Sequence, residues 1–216
     1  MAGSGGREAV DDVVVCGGPP TSSRPGPAGG LIDPVNLTFR LLLLTLRVRL
    51  TPRRRLSLWD ESRTPFRVTL TDLDPLRHVN NGKYLSLLDL GRLDLMLRSG
   101  FWATIAEHGW YPVVAAQTIT YKRSLTLGQR FELRSRVLGV DERAVYMEQT
   151  FTRRGAVVAR AVVQARFLRR TGGTVRSDEL LAAAGRSPRD LTLPDWVSAW
   201  ADAVRISGSE GDRVRP

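Results

Sequence analysis

With 216 residues, 42% of them hydrophobic, the chain has material for one good core in one domain with tails. A single cysteine, Cys16, excludes an internal disulfide framework, and two histidines, His78 and His108, exclude a His-rich zinc centre. The formal net charge is +10 and nearly all arginine, Lys83 and Lys122 being the lysines; such a core admits nucleic acid, an anionic membrane or a phosphate-bearing small molecule as partner.

Residues 1–36 read as a disordered leader. They are rich in Gly, Pro, Ser and Ala, and their apolar residues are too sparse to bury. A basic start followed by an apolar run, the mark of a signal peptide, is missing. A start codon placed too far upstream would account for such a stretch.

Residues 37–63 form an apolar-basic segment. Its L-T-F-R-L-L-L-L-T-L-R-V-R-L run is broken by Arg40, Arg47 and Arg49 and is followed by Arg53, Arg54 and Arg55. Spanning a bilayer takes about 20 predominantly apolar residues, so this run is too short. It fits a helix packed on the domain or on a partner chain. It equally fits a helix lying on an anionic membrane surface, which would make the protein cytoplasmic with peripheral contact to the inner membrane.

The body spans residues 64–170. Phe66 to Leu70 alternates as a strand does. A helix is expected from about Lys83 to Ser99, capped by Asn80 or Asn81 and stopped by Gly100. It is apolar almost all round, as buried helices are. Its polar residues are spaced for pairing, Asp89 with Arg92 and Asp94 with Arg98. After a short linker holding Trp110, Tyr111 and Pro112 come four strand-like runs, at 113–123, 130–140, 144–152 and 157–169. The short breaks between them favour antiparallel hairpins. The expected fold is α+β, a five-stranded antiparallel sheet wrapped around one long helix. Residues 171–216 form a C-terminal extension with short helices, one at 177–184 and one after Pro194. In the latter, Trp196 and Trp200 make an i,i+4 stripe expected to dock on the body.

The densest chemistry lies between the first strand and the helix, where residues 72–84 read D-L-D-P-L-R-H-V-N-N-G-K-Y. Asp72 and Asp74 face opposite sides of an extended chain, so one carboxylate is expected to serve the turn and the other a pocket. We expect Asp74 to be the chemical one, as base or nucleophile. His78 is a candidate proton carrier or substrate contact, a structural hydrogen-bonding role being the alternative. Asn80 and Asn81 can cap the helix, orient a base or bind polar ligand atoms. Open N–H groups of the first helical turn can polarise an acyl oxygen.

The run D-x-D-P-L-R-H-V-N-N-G-K-Y-L, with F-R-V-T-L-T before it and P-V-V-A-A-Q-T-I-T-Y-K-R-S-L after the helix, resembles the hotdog-fold acyl-CoA thioesterases, close to the 4-hydroxybenzoyl-CoA thioesterase-like group. The resemblance implies that the helix is the sausage and the sheet the bun. It further implies a homodimer, with pairing into tetramers left open, whose active site forms at the interface. It puts the catalytic aspartate on Asp74, acting through a mixed anhydride or as general base toward water. Asn80, Asn81 and Gly82 become the carbonyl-polarising wall. Tyr84 matches a recurrent supporting aromatic, with Leu87 and Leu88 on the acyl side. Asn81 stands where some relatives carry a histidine, which leaves His78 and Asn81 as the groups beside Asp74.

The implied reaction hydrolyses an acyl-CoA thioester to free acid and CoA. It needs no cofactor and no metal, coenzyme A being part of the substrate. Lys122, Arg123, Arg153 and Arg154 are the candidate contacts for its phosphates. The alternative is a hotdog module that binds acyl groups or CoA with little or no turnover. Nucleic-acid binding rests on charge alone, without a recognisable motif.

Overall fold

The computed structural model describes residues 40–42, 46, 56–185, 187 and 190–205. Five strands form one antiparallel sheet: β1 (Ser62–Arg67), β2 (Trp110–Tyr121), β3 (Arg130–Val140), β4 (Val145–Arg153) and β5 (Ala156–Arg169). Their order across the sheet is β1-β3-β4-β5-β2. Helix α1 (Asn81–Ser99) lies against the sheet and is followed by α2 (Phe101–Glu107). Two more helices, α3 (Ser177–Ala184) and α4 (Asp195–Ala203), follow β5. This is the expected α+β architecture. The expected leader 1–36 lies outside the described residues, and within 37–55 only 40–42 and 46 are described, all helical.

Helix α1 carries the core. Tyr84, Leu87, Leu88 and Leu90 are buried with Leu125, Phe131, Leu133, Phe151 and Val163 from the sheet and its connections. Gly91 lets the helix approach closely: a Cβ there would come within 2.5 Å of Leu133 Cδ2, 2.8 Å of Ser135 Oγ and 2.9 Å of Gln149 Nε2. The fully buried Gln149 uses this approach, donating to Leu88 O at 3.0 Å and Ser135 Oγ at 2.8 Å while accepting from Arg92 at 2.8 Å. The expected intrahelical pairs form, Arg92 with Asp89 and Arg98 with Asp94. Gly100, at φ 78°, ends the helix in a left-handed conformation that suits glycine.

Four local expectations are corrected. The first strand lies earlier than Phe66–Leu70, at Ser62–Arg67. Its Pro65 is tolerated because β1 is an edge strand paired with β3 alone. The alternation continues past Arg67, but the Asp72 carboxylate takes the Thr69 N–H at 2.7 Å and winds Leu70–Asp72 into a 3-10 turn.

The segment between α1 and Trp110 is a helix rather than only a linker. Phe101 and Ile105, spaced i,i+4, are buried with Trp110, Phe167 and Leu180. The strands 113–123 and 130–140 do not make a hairpin. Lys122 and Arg123 both donate to Val158 O, which holds this end of β2 on β5, while β3 pairs with β1 and β4. In α4 the docked face is Val197 and Ala201 with half-buried Trp200, packed on Ala144, Tyr146 and Val162. Trp196 is 55% exposed, so the buried stripe is rotated by one residue from the expected one.

The loop between β1 and α1 is held from below. Asp72 is buried, accepts from Thr69 Oγ1 at 2.9 Å and pairs with Arg40 at 2.5 Å. Arg40 also reaches Thr69 Oγ1 at 3.1 Å and Arg67 O at 3.4 Å, which ties the N-terminal segment to the body. Asp72 is therefore the turn carboxylate. Asn80 caps α1, its Oδ1 accepting from the Gly82 N–H at 2.8 Å.

Two stability predictions follow from these contacts. Gly91→Ala forces a methyl against Leu133 and Gln149 and is expected to destabilise the fold by about 1–3 kcal/mol, despite alanine's better helix propensity. Equilibrium urea unfolding reads this as a lower midpoint, and an unchanged or raised midpoint would refute the close approach. Asp72→Ala removes the acceptor of the Thr69 turn and the partner of Arg40, for an expected loss of about 1–3 kcal/mol. Asn80→Ala, which removes only the cap, is expected to lose about 1 kcal/mol. The two variants compared by the same unfolding measurement should rank in that order.

Candidate active site

Between Leu73 and Val79 the chain doubles back on itself. These two residues form an antiparallel bridge, and Asp74 N donates to His78 O at 2.8 Å. Arg77 sits at φ 61°, a conformation uncommon for a bulky side chain, and its N–H reaches Asp74 O at 2.9 Å. The turn brings the His78 N–H onto Asp74 Oδ1 at 3.1 Å. Asp74 Oδ2 accepts no hydrogen bond among the described residues, and Asp74 lines a cleft. One carboxylate oxygen is thereby oriented and the other left for a reaction partner.

Asp74, His78, Asn81, Tyr84, Lys122 and Arg123 line one cleft of about 360 Å³, together with Val79, Tyr121 and Ser124. Six of the residues singled out from the sequence are thus gathered in one place. Two cleft residues had no signal beyond their position at the end of a strand. Tyr121 donates from its hydroxyl to Asn81 O at 3.2 Å, and its ring meets Tyr84 edge-on with centroids 5.2 Å apart. Ser124 follows at the strand exit. Tyr84 also packs edge-on against Phe151 at 5.0 Å. Burial pushes its phenol up to about 12, so it stays protonated at neutral pH.

The first turn of α1 is only partly open. The Gly82 N–H, one of the expected carbonyl-polarising donors, is already taken by Asn80 Oδ1. Asn80 is thus a capping residue, and Lys83 N bonds back to Asn80 O at 2.9 Å. The Asn81 N–H has no acceptor among the described residues, and Asn81 lines the cleft. Leu87 and Leu88 lie in the main core, 3% and 0% exposed, against the sheet.

Arg153 ends β4 and Arg154 stands in the β4–β5 turn. The register places this turn beside the cleft, since Arg153 pairs with Ala156 and Tyr121 with Ala159 on the same strand β5. Arg67 and Arg130 face each other at the same end of the sheet. This end therefore concentrates cationic side chains around the Asp74 loop. The described residues contain no group of three or more His, Cys, Asp or Glu able to hold a metal. They also contain no helix long and apolar enough to cross a membrane.

The arrangement can orient a carboxylate beside an unsatisfied helix N–H, under a rim suited to anionic groups. The chain is 39% identical over 154 residues to Protein THEM6 of Danio rerio, covering 69% of this chain and 76% of that protein. It is 25% identical over 177 residues to Protein THEM6 of Drosophila melanogaster, covering 82% and 90%. Among solved structures, the YbaW probable thioesterase of Escherichia coli superposes with a TM-score of 0.54 at 26% identity, covering 56% of this chain and 94% of that one. A DHNA-CoA thioesterase of Staphylococcus aureus, at 17% identity and TM-score 0.51 over 66% and 90%, shares the fold. A family model described as the thioesterase-like superfamily matches residues 68–201, reaching into the C-terminal extension, and with this sheet and helix the chain belongs to that hotdog-fold superfamily.

Proposed function

We propose that the protein hydrolyses an acyl-CoA thioester to the free acid and CoA, with Asp74 as the reacting carboxylate. The observation that carries this reading is the cleft in which Asp74 Oδ1 is fixed by the His78 N–H beside the open N–H of Asn81. The Asn81 N–H would donate to the thioester oxygen as negative charge develops there. Asp74 Oδ2 would then either attack the carbonyl carbon, expelling the CoA thiolate and leaving a mixed anhydride for water, or take a proton from the attacking water. The His78 imidazole lines the same cleft and is the nearest candidate to protonate the leaving sulfur.

Lys122 and Arg123 at the cleft, with Arg153 at the end of β4 and Arg154 in the turn after it, are assigned to the CoA phosphates. Similarity to the YbaW probable thioesterase supports the reaction class. The proposed location is the cytoplasm, with the arginines of residues 37–63 offering reversible contact to an anionic membrane surface.

The test is a panel of acyl-CoA substrates with free-thiol detection, run on the wild type and Asp74→Asn. The variant keeps the size of the side chain and removes its charge, and kcat should fall by at least about 100-fold. Full activity in Asp74→Asn would eliminate this carboxylate from the chemistry. Acyl-CoA binding without turnover by the wild type would instead identify a binding module.

The site is further proposed to be shared between two copies. Strand β2 is an edge strand of 12 residues, with Tyr111 40% and Val114 43% exposed. A long edge with exposed apolar side chains needs cover, and pairing with a second copy across a twofold axis supplies it. Sedimentation at micromolar protein should give a dimer or a dimer of dimers. A monomer with full thioesterase activity would contradict the shared site.

A further inference from the structure

The Asp72 turn beneath Asp74 is fastened by Arg40, thirty-two residues earlier in the chain. Among the described residues of that N-terminal segment, Arg40 is the one turned inward. Its side chain is 11% exposed, whereas Leu41, Leu42 and Leu46 are 38%, 63% and 47% exposed. An amphipathic helix docked by apolar packing has the reverse arrangement. Among these residues the guanidinium is thus the attachment. Its Nη2 donates to three groups of one stretch of chain: Arg67 O where β1 ends, Thr69 Oγ1, and Asp72 Oδ2.

Asp72 passes this constraint on in two directions. Its carbonyl accepts from Asn80 N at 2.8 Å, and Asn80 caps α1. On the other side Leu73 bridges to Val79, and Asp74 N donates to His78 O at 2.8 Å. Asp72 therefore lies at the root of both the Asp74 turn and the first turn of α1. Its carboxylate belongs to a residue only 3% exposed, and a carboxylate buried to that extent depends on its cation. Without Arg40 it gains by turning toward water, which breaks the Thr69 turn and loosens Asn80. A displacement of about 1 Å between reacting groups can cost roughly 100-fold in rate, even when the change lies outside the chemistry.

We propose that Arg40 is a positioning residue for the reaction assigned to Asp74, acting through Asp72 to hold the Asp74 carboxylate in register with the Asn81 N–H. This rests on Asp74 being the reacting carboxylate. Arg40 is not among the residues that line the cleft, so its loss should slow turnover without weakening substrate binding.

The full chain and its Arg40→Gln variant are compared by amide hydrogen exchange and by steady-state hydrolysis of an acyl-CoA that the wild type turns over. In Arg40→Gln the amides of residues 72–80 should exchange at least tenfold faster, with those of β4 and β5 unchanged. The kcat should fall about tenfold and KM should stay within about twofold. Arg40→Lys keeps the charge on a side chain one bond shorter and should return kcat to within about threefold of wild type. Asp72→Asn with Arg40→Gln leaves no buried charge unpaired, and in that background the Arg40 change should alter kcat less than twofold. Arg63→Gln, which removes a surface arginine paired with Glu61, should match the wild type in both readouts. The proposal is overturned by unchanged exchange at 72–80, by equally faster exchange throughout the sheet, or by full kcat in Arg40→Gln. It is also overturned by a raised KM at unchanged kcat, by Arg40→Lys no better than Arg40→Gln, or by a full tenfold drop in the Asp72→Asn background. A wild type inactive on every acyl-CoA would remove the reaction assigned to Asp74, and the exchange comparison alone would then decide whether Arg40 holds the loop.

Discussion

The contact between α1 and the sheet at Gly91 is the constraint on which the rest of this structure depends. Helix and sheet come close enough there for Gln149, fully buried on β4, to reach the backbone of Leu88. A buried amide without partners would cost a few kcal/mol, and this one is satisfied by Leu88, Ser135 and Arg92. Hydrophobic packing along α1 is non-directional and would tolerate sliding or rotation of the helix. The Gln149 contacts are directional and select one depth and one rotation. That selection places Asn81 and Tyr84 at the Asp74 cleft, and Asp89 and Arg92 on an apolar cavity lined by the C-terminal half of α1 and the start of β2.

The two aspartates of the D-L-D run show how one loop divides structural from chemical work. Asp72 is buried, and its Oδ2 is consumed by the Thr69 turn and Arg40. Asp74 shares one oxygen with its own loop, and its other oxygen accepts no hydrogen bond among the described residues. Two residues of separation in extended chain put them on opposite sides. Proline at position 75 keeps Asp74 out of the helical region, so the helix cannot start early and bury the carboxylate. Asn80 then starts the helix and consumes the Gly82 N–H, which leaves Asn81 as the open donor. A cap and an anion-binding first turn compete for the same N–H groups, and here they are divided one to each.

Much of this was legible in the sequence because it is local. The limits of α1 at its C-terminal end, the pairs Asp89–Arg92 and Asp94–Arg98, α3 and the β3 run are set by spacing and capping within a few residues. The misses are non-local. Strand pairing beyond β2 depends on Val158 O holding Lys122 and Arg123, a contact more than thirty residues away that periodicity cannot express. The extent of α2 depends on Phe167 and Leu180 offering a surface to Phe101 and Ile105. The rotation of α4 depends on the sheet face presented by Tyr146 and Val162. The candidate site behaved likewise: its loop residues stand close in sequence, whereas Tyr121 joins only because β2 ends beside α1.

The C-terminal extension adds a second layer to the hotdog body. Helix α4 covers Tyr146, whose hydroxyl donates to Asp141 at 2.6 Å and accepts from Gln164 at 2.9 Å. Helix α3 instead lines the apolar cavity beside Arg92 through Leu180, Leu181 and Ala184 and is fastened by Glu179 to Arg169 at 2.7 Å. That ion pair is about one-third exposed on both sides, so by itself it contributes little to stability. The larger attachment is apolar, Leu180 and Val175 buried with Phe167 and Trp110. The extension is thus held on the body by apolar burial, and through Leu180, Leu181 and Ala184 it walls a cavity that Arg92 also lines.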